Sequence, residues 1–503
     1  MKNLLLVFVL LLPFITIAQN TQIYEVHEVD SVAIPRGGYA YLTTFINANL
    51  QIPYMAKVAK VNGYVSLAGV VDEQGKISQV EVIKGIRPDC DKEAVRVFGL
   101  FNAWQAALKG GNKVKQKIFL RIPFKSMEDI VFVDGMQLQY FDSGYTPITD
   151  NNKAQYVQKI VIDTLTGFAK DNIDFFEIKN NKKEKLVASF LYKKRIVSNY
   201  VLEYPDELND SLLHRYTTEY TTENQDKVRD MMIFLEDGTL QYKRPYNISG
   251  RPDYPLTTYY KNGMVRELST YVDTERKVRQ TTKWHLNGQI ASITSQEEKT
   301  IIGTKNTMPS NLTIQNIINQ WNYDGSQLVK NGVGRAIFKS YGSEHGIFTE
   351  SGDVVNFQKD GLWQQKSEDG RIFYREIYKD GQLENGVAYW SKTDSSTYSG
   401  QSEQKAEYNG GMAGFGKFLQ GNLAYPMDAQ RSNAQGKAYI QFIVCTDGTL
   451  CDFEVMKSAG HPSLDQEAVR VLKKSSGQWS AGVQRGKKVR SRFTIPINFT
   501  LSR

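Results

Sequence analysis

The sequence offers little material for covalent or metal chemistry. Its 503 residues include three cysteines and five histidines. None of His27, His214, His285, His345 and His461 falls in a His-Glu-x-x-His arrangement or pairs with a cysteine at zinc-site spacing. A nucleophile elbow, a phosphate-cradling Gly-Lys-Ser/Thr loop and a calcium loop are missing too. These absences predict a non-enzymatic chain with no cofactor and no metal. Three cysteines cannot form a disulfide framework. Cys445 and Cys451 flank a turn, but in a two-residue-turn register Cys445 faces Leu450 and Cys451 faces Val444. A disulfide would need a longer loop, so two separate buried thiols are expected, with Cys90 alone.

Proline is scarce, at 14 residues, and no stretch is of low complexity. That excludes a long proline-rich spacer. Long apolar runs are limited to Leu4 to Ala18, fifteen residues with Pro13 inside. A spanning helix needs about 20. The short positive head and the ending Thr16-Ile17-Ala18 before Gln19 read as a cleaved signal peptide, residues 1–18, which sends the chain to the periplasm. An uncleaved inner-membrane anchor is the alternative.

What is present is an internal duplication. Phe45 to Pro53 aligns with Phe418 to Pro426, and Gly63 with Gly436. Two hairpin patterns follow, Tyr64 to Ile83 around Glu73-Gln74-Gly75 and Lys437 to Met456 around Thr446-Asp447-Gly448. A helix comes next in each: Asp91-Lys-Glu-Ala-Val-Arg-Val97 matches Asp465-Gln-Glu-Ala-Val-Arg-Val471. Asp91 and Asp465 are placed to cap these helices, with the glutamates two residues on favoured by the helix dipole. Ala94, Val97 and Phe98, like Ala468, Val471 and Leu472, share a helical face. Trp104 and Trp479 follow, and then a final strand, Val114 to Phe124 or Val489 to Phe499. Each repeat is thus α+β, helix-strand-strand-helix-strand, with a three-stranded antiparallel sheet. The last strand can lie at an edge, where unpaired N–H and C=O groups suit strand addition by a partner peptide.

Charge follows the duplication. The chain is +8 overall, while Tyr41 to Lys125 and Lys405 to Arg503 are each +7 and the residues between them are net acidic. Basic ends suit anionic envelope partners, peptidoglycan or anionic lipid among them; nucleic acid is not expected for an exported chain.

Pro426-Met-Asp-Ala, Gly436, Phe442-Ile-Val, Asp447-Gly448, the Asp465 to Val471 helix, Trp479, Gly486-Lys-Lys-Val489 and Ile495-Pro496-Ile497-Asn-Phe499 together resemble the C-terminal domain of TonB-family proteins. The N-terminal repeat is a looser copy, lacking a proline at the place of Pro496. The resemblance implies pairing with a short segment of an outer-membrane receptor or other envelope protein, and a link to transmembrane transport. Family transducers also have an anchor and a proline-rich span. Neither is evident here, so motor coupling is expected only if residues 1–18 are retained. The candidate partner-binding residues are Val489, Arg490, Ser491, Arg492, Phe493, Thr494 and Ile495, with Arg490 and Arg492 on one face able to hold carboxylates.

Between the repeats, short units recur: Phe234 to Gly238, Tyr259 to Gly263, Trp284 to Gly288, Trp321 to Gly325, Phe357 to Gly361 and Tyr378 to Gly381. Each reads as an aromatic strand end, an Asn-Gly or Asp-Gly turn and a new strand. They resemble MORN-like repeats of YwqK-type proteins and predict an all-β region of stacked hairpins, as a β-solenoid or an extended meander. The expected organisation is a lead-in at 19–40, the diverged TonB-like domain at 41–125, a β-rich region at 126–225, MORN-like hairpins at 226–400 and the second TonB-like domain at 401–503. A structural scaffold whose repeats mediate assembly is the alternative function.

Overall fold

The computed structural model describes residues 22–179, 184–200, 213–222, 227–247, 250–301, 310–342 and 346–501. The expected leader and His345 lie outside them. The chain divides into two compact units, with the boundary between Gln327 and Leu328. Among the described residues no helix is long and apolar enough to cross a membrane.

The first unit holds the N-terminal repeat. Helix α1 (Tyr39–Asn49) buries Leu42, Phe45, Ile46 and Asn49, one stripe at helical spacing. The short α2 (Tyr54–Val58) starts after Pro53. Strands Asn62–Val71 and Ile77–Lys84 form a hairpin. Helix α3 (Pro88–Leu100) covers the sheet with Cys90, Ala94, Val97 and Phe98. The long strand Asn112–Lys125 then pairs antiparallel with Asn62–Val71. Its outer side carries a fourth strand, Ile23–Tyr24, which runs parallel to it. The sheet of this repeat is therefore larger than the three strands expected.

From Val131 onward the first unit is an antiparallel meander. Successive strands pair in turn up to Ser310–Trp321. This is a meander and not a solenoid, because the strands from Ala169–Ile178 to Ser310–Trp321 lie beside their neighbours in sequence. The recurring units explain the turns. In Asp237-Gly238, Asn262-Gly263, Asn287-Gly288 and Asp324-Gly325 the glycine has φ between +78° and +89°. The preceding Asp or Asn side chain accepts the N–H two residues on, at 2.8 to 3.0 Å. Glycine reaches this left-handed conformation without steric cost, and the Asx contact fixes the loop.

Three of these turns seat the N-terminal repeat. Tyr259, Tyr260, Met264, Trp284, Ile290 and Trp321 are buried in one core with Phe45, Phe101 and Trp104. A Cβ on Gly288 would stand 3.0 Å from Phe101 and 3.1 Å from Phe45. Asn49 Oδ1 accepts the Val265 N–H at 2.7 Å, and Asn102 N–H donates to Asn287 O at 2.8 Å. The repeat's aromatics are thus structural, and the repeat and the meander ends fold as one body.

In the second unit a further meander runs from Val333–Gly342 through Gly346–Val355, Gln358–Ser367, Ile372–Lys379 and Gln382–Tyr389 to Ser395–Gly400. Here the unit read as Phe357 to Gly361 is corrected. The turn falls at Asn356 and Phe357, both at positive φ, and Asp360-Gly361 lies inside strand Gln358–Ser367. Asn356 adopts the left-handed conformation in place of a glycine.

The C-terminal repeat follows: α4 (Gly411–Asn422), α5 (Met427–Arg431), strands Gly436–Val444 and Leu450–Lys457, α6 (Pro462–Lys474) and strand Ser491–Phe499. Its three-stranded antiparallel sheet has Gly436–Val444 in the centre. Its core draws only on residues from Ala406 to Phe499. The meander contacts are polar instead. Arg485 Nε meets Glu376 at 3.1 Å, Ser396 Oγ donates to Arg485 O at 2.7 Å, and Lys487 pairs with Asp394 at 2.5 Å. Glu376 is buried and also accepts from Tyr378 and Tyr398 hydroxyls at 2.9 and 2.7 Å. Arg485 lies 3.8 Å over the Tyr374 ring. Burial, followed by the Glu376 charge, pushes the Tyr378 phenol above its usual range.

Two expectations are overturned. Cys445 and Cys451 form a disulfide, with Cα atoms 6.8 Å apart. The loop is one residue longer than the two-residue register: Val444 faces Leu450 and Ile443 faces Cys451, so the cysteines are diagonal neighbours on one face. They are half-buried, while Cys90 is buried and free. Nor do Asp91 and Asp465 cap helices. Pro88 and Pro462 start the helices three residues earlier, as the fixed φ of proline favours. The aspartates instead accept loop N–H groups, Ile86 at 3.0 Å and Ala459 at 2.7 Å.

Two outcomes follow. Residues 401–503 expressed alone are expected to unfold in one cooperative transition, whereas 22–125 alone, stripped of the aromatics that complete its core, are not; thermal circular dichroism distinguishes them. Thiol labelling provides a second check. Burial, then Asp89, pushes the Cys90 thiol up to about 11. At mildly alkaline pH the native chain is expected to take up no maleimide, the denatured chain one equivalent, and the denatured, reduced chain three.

Candidate functional site: the edge strand of the C-terminal repeat

Both repeats tie their two main helices together with the same polar clamp. In the C-terminal repeat Glu467 accepts the Ala424 N–H at 2.7 Å and both Arg470 nitrogens at 2.6 and 2.7 Å, and Arg470 Nη2 donates to Asn422 O at 2.8 Å. In the N-terminal repeat Glu93 accepts from Gln51 N at 2.6 Å and from Arg96, while Arg96 donates to Asn49 O at 2.7 Å. Asn49 and Asn422 each bond back to a helical carbonyl, Phe45 O and Phe418 O. The signal was the i, i+3 Glu-Ala-Val-Arg present twice, which the sequence reading assigned to the helix dipole.

Glycine at the hairpin turn is a second shared constraint. A Cβ on Gly75 would stand 2.0 Å from Trp104 O, and one on Gly448 2.2 Å from Trp479 O. The turn therefore packs on the tryptophan strand, which in turn pairs with the lead-in: Ile34–Pro35 with Trp104–Gln105, and Glu407–Tyr408 with Trp479–Ser480.

The seven candidate residues do not form one surface. Val489 ends a short hairpin, Lys487–Val489, paired with Gly482–Gln484. Arg490 stands between the strands, and its guanidinium pairs with Asp452 at 2.6 Å. Ser491 to Ile495 lie in the edge strand, opposite Val444 to Ile440. Phe493 stacks near Phe442 at 6.0 Å and Ile495 is buried, so both belong to the core side. Arg492 and Thr494 are exposed. Of the two arginines, Arg490 already has a carboxylate.

Pro496 orients the backbone. It sits opposite Tyr439. Proline has no N–H, so a sheet accommodates it where that position faces away from the neighbouring strand. Main-chain groups alternate in direction along an antiparallel strand. The groups of Arg492, Thr494, Pro496 and Asn498 therefore face the open edge, and those of Phe493, Ile495 and Ile497 face the sheet. Among the described residues, Ser491–Phe499 pairs only with Gly436–Val444.

The N-terminal repeat differs at this edge. Ile23 pairs with Lys115 and Tyr24 with Gln116. Tyr24 is buried, Lys109 Nζ lies 4.2 Å over its ring, and Gln116 Oε1 accepts the Ala33 N–H at 2.6 Å. The chain's own segment thus occupies the outer side of this strand at Lys115 and Gln116.

Glu467 sets a pH dependence. Burial raises its pKa, but the Arg470 hydrogen bonds, the Ala424 N–H and the Arg470 charge outweigh burial and hold the carboxyl below its usual range. A folded value below the unfolded one means that the clamp stabilises fully above the unfolded pKa and is lost as pH falls through the folded one. Glu467→Gln is expected to cost about 1–3 kcal/mol at neutral pH. The gap to wild type should close in acid, as read by denaturant unfolding of the full chain at a series of pH values.

No curated protein matches the chain. A family model described as Gram-negative bacterial TonB protein C-terminal matches it twice, over residues 48–126 and 421–501. These are the two clamped α+β repeats, one in each structural unit, and each is similar to the TonB C-terminal domain.

Proposed function

We propose that this is an exported envelope protein whose C-terminal TonB domain binds an extended segment of an outer-membrane receptor or other envelope protein by strand addition along Ser491–Phe499. The observation that carries this reading is the edge itself: Ser491–Phe499 pairs on one side only among the described residues, along its whole length, whereas the start of the matching strand in the first repeat, at Lys115 and Gln116, is taken by the chain's own Ile23–Tyr24. Main-chain hydrogen bonds supply affinity in such a complex and side-chain positions supply selectivity. Arg492 and Thr494, exposed beside the edge, are placed to read the incoming segment.

The chain acts by binding, not by catalysis, and works in the periplasm after loss of residues 1–18, in the service of transport across the outer membrane. The middle region, read as MORN-like, carries the binding module. A scaffold role rests on one observation of its own: the N-terminal repeat shares its core with the meander and so serves as architecture.

The test uses the direction of the backbone. Thr494→Pro removes an N–H that faces the open edge and leaves the inner ladder intact. Peptides spanning the N-terminal segments of outer-membrane receptors from the same cell are expected to bind the wild-type chain. Binding should fall by about tenfold or more in Thr494→Pro, with little change in thermal stability, as one or two main-chain hydrogen bonds are lost. Equal binding by the variant would rule out strand addition here.

A further inference from the structure

The sheet of the N-terminal repeat has a second face, turned away from α1 and α3. Alternate residues of Asn112–Lys125 point out on this face: Lys117, Phe119, Arg121 and Lys125. Arg121 lies opposite Ser66, which on its other side faces Lys84. Tyr64, opposite Pro123, lies on the same face. Phe119 is 60% exposed and Tyr64 59%, so two large aromatics stand in solvent among cations. Lys117 pairs with Glu81 at 3.2 Å; Lys84, Arg121 and Lys125 make no ion pair among the described residues. The matching strand of the C-terminal repeat presents Arg492, Thr494, Pro496 and Asn498 instead, one cation and no aromatic. The duplication therefore kept the fold and changed the chemistry of this strand.

We infer that this face of the N-terminal repeat docks on an anionic phospholipid surface. An exposed aromatic that retains a flat apolar body settles at the headgroup level of a bilayer, where it is half solvated. Clustered lysines and arginines are drawn to anionic headgroups over a Debye length, and each adds to the attraction. The strands of a sheet hold the cations and the aromatics on one broad face, as a membrane surface requires. The surface is distinct from the edge strand Ser491–Phe499, so docking and strand addition can proceed together, and neither depends on the other.

The test is sedimentation of the full chain with vesicles of phosphatidylcholine alone or with added phosphatidylglycerol. Binding is expected only to the anionic vesicles and is expected to weaken as salt is raised. The double variant Lys117→Glu/Arg121→Glu should lose binding by about tenfold or more, while Lys437→Glu on the other repeat should bind the vesicles as wild type. All of these positions are on the surface, and circular dichroism confirms that the variants fold. In Phe119→Trp, the emission that anionic vesicles add to that of the unsubstituted chain should move to the blue. Equal binding to both vesicle types, undiminished binding by the double variant, no binding to vesicles, or capture by isolated peptidoglycan without binding to vesicles would each overturn the inference. Failure of the peptide experiment at Thr494 would leave it untouched.

Discussion

Burial of Phe45 and Phe101 beneath the Asn287-Gly288 turn is the constraint on which the first unit depends. The glycine leaves room for both rings because it has no side chain, and its positive φ brings the turn down onto them. Around that contact Trp284, Trp321 and Tyr260 complete a core that neither the repeat nor the meander could close alone. Hydrophobic burial is non-directional, but once it includes residues from both partners the two cease to be separable folding units.

The C-terminal repeat solves the same packing problem internally. Tyr408, Phe415 and Trp479 meet at ring-centroid distances of 5.3 to 5.5 Å and need no residue from outside the domain. Its attachment is a buried ion pair with tyrosine partners. Such a pair stabilises little over an apolar contact but is strongly selective in geometry, because breaking one partner strands the other charge. One domain is thus cemented into its surroundings, and its twin is fastened by a specific joint.

Much of this was legible. The duplication, its helices and strands and the Asp-Gly and Asn-Gly turns follow from residues a few positions apart, where local geometry dominates. What could not be read depended on single-residue differences or on distant partners. One additional residue in the Cys445 to Cys451 loop makes the cysteines diagonal neighbours. A proline three residues ahead of each aspartate moves the helix start. Asn356, with no glycine, takes the turn assigned to Gly361. The Glu-x-x-Arg clamp was visible as a pattern, but its partners Gln51 and Ala424 lie more than forty residues away, and nothing local points to them. Likewise, occupation of one edge by Ile23–Tyr24 rests on a pairing across more than ninety residues.

The joint at Arg485 has a mechanical consequence. A segment added along Ser491–Phe499, as proposed, would be held by hydrogen bonds perpendicular to the strand, so tension along it would load them in shear, all together, instead of peeling them one at a time. Five residues separate Arg485 from the start of that strand, through Lys487–Val489 and Arg490. A load on the edge strand therefore falls on the hydrophobic core directly, through Ile495, Ile497 and Phe499, and on the guanidinium held by Glu376 through the intervening chain. Loss of the ionic joint would leave that core whole, because the core is built from residues of the domain itself.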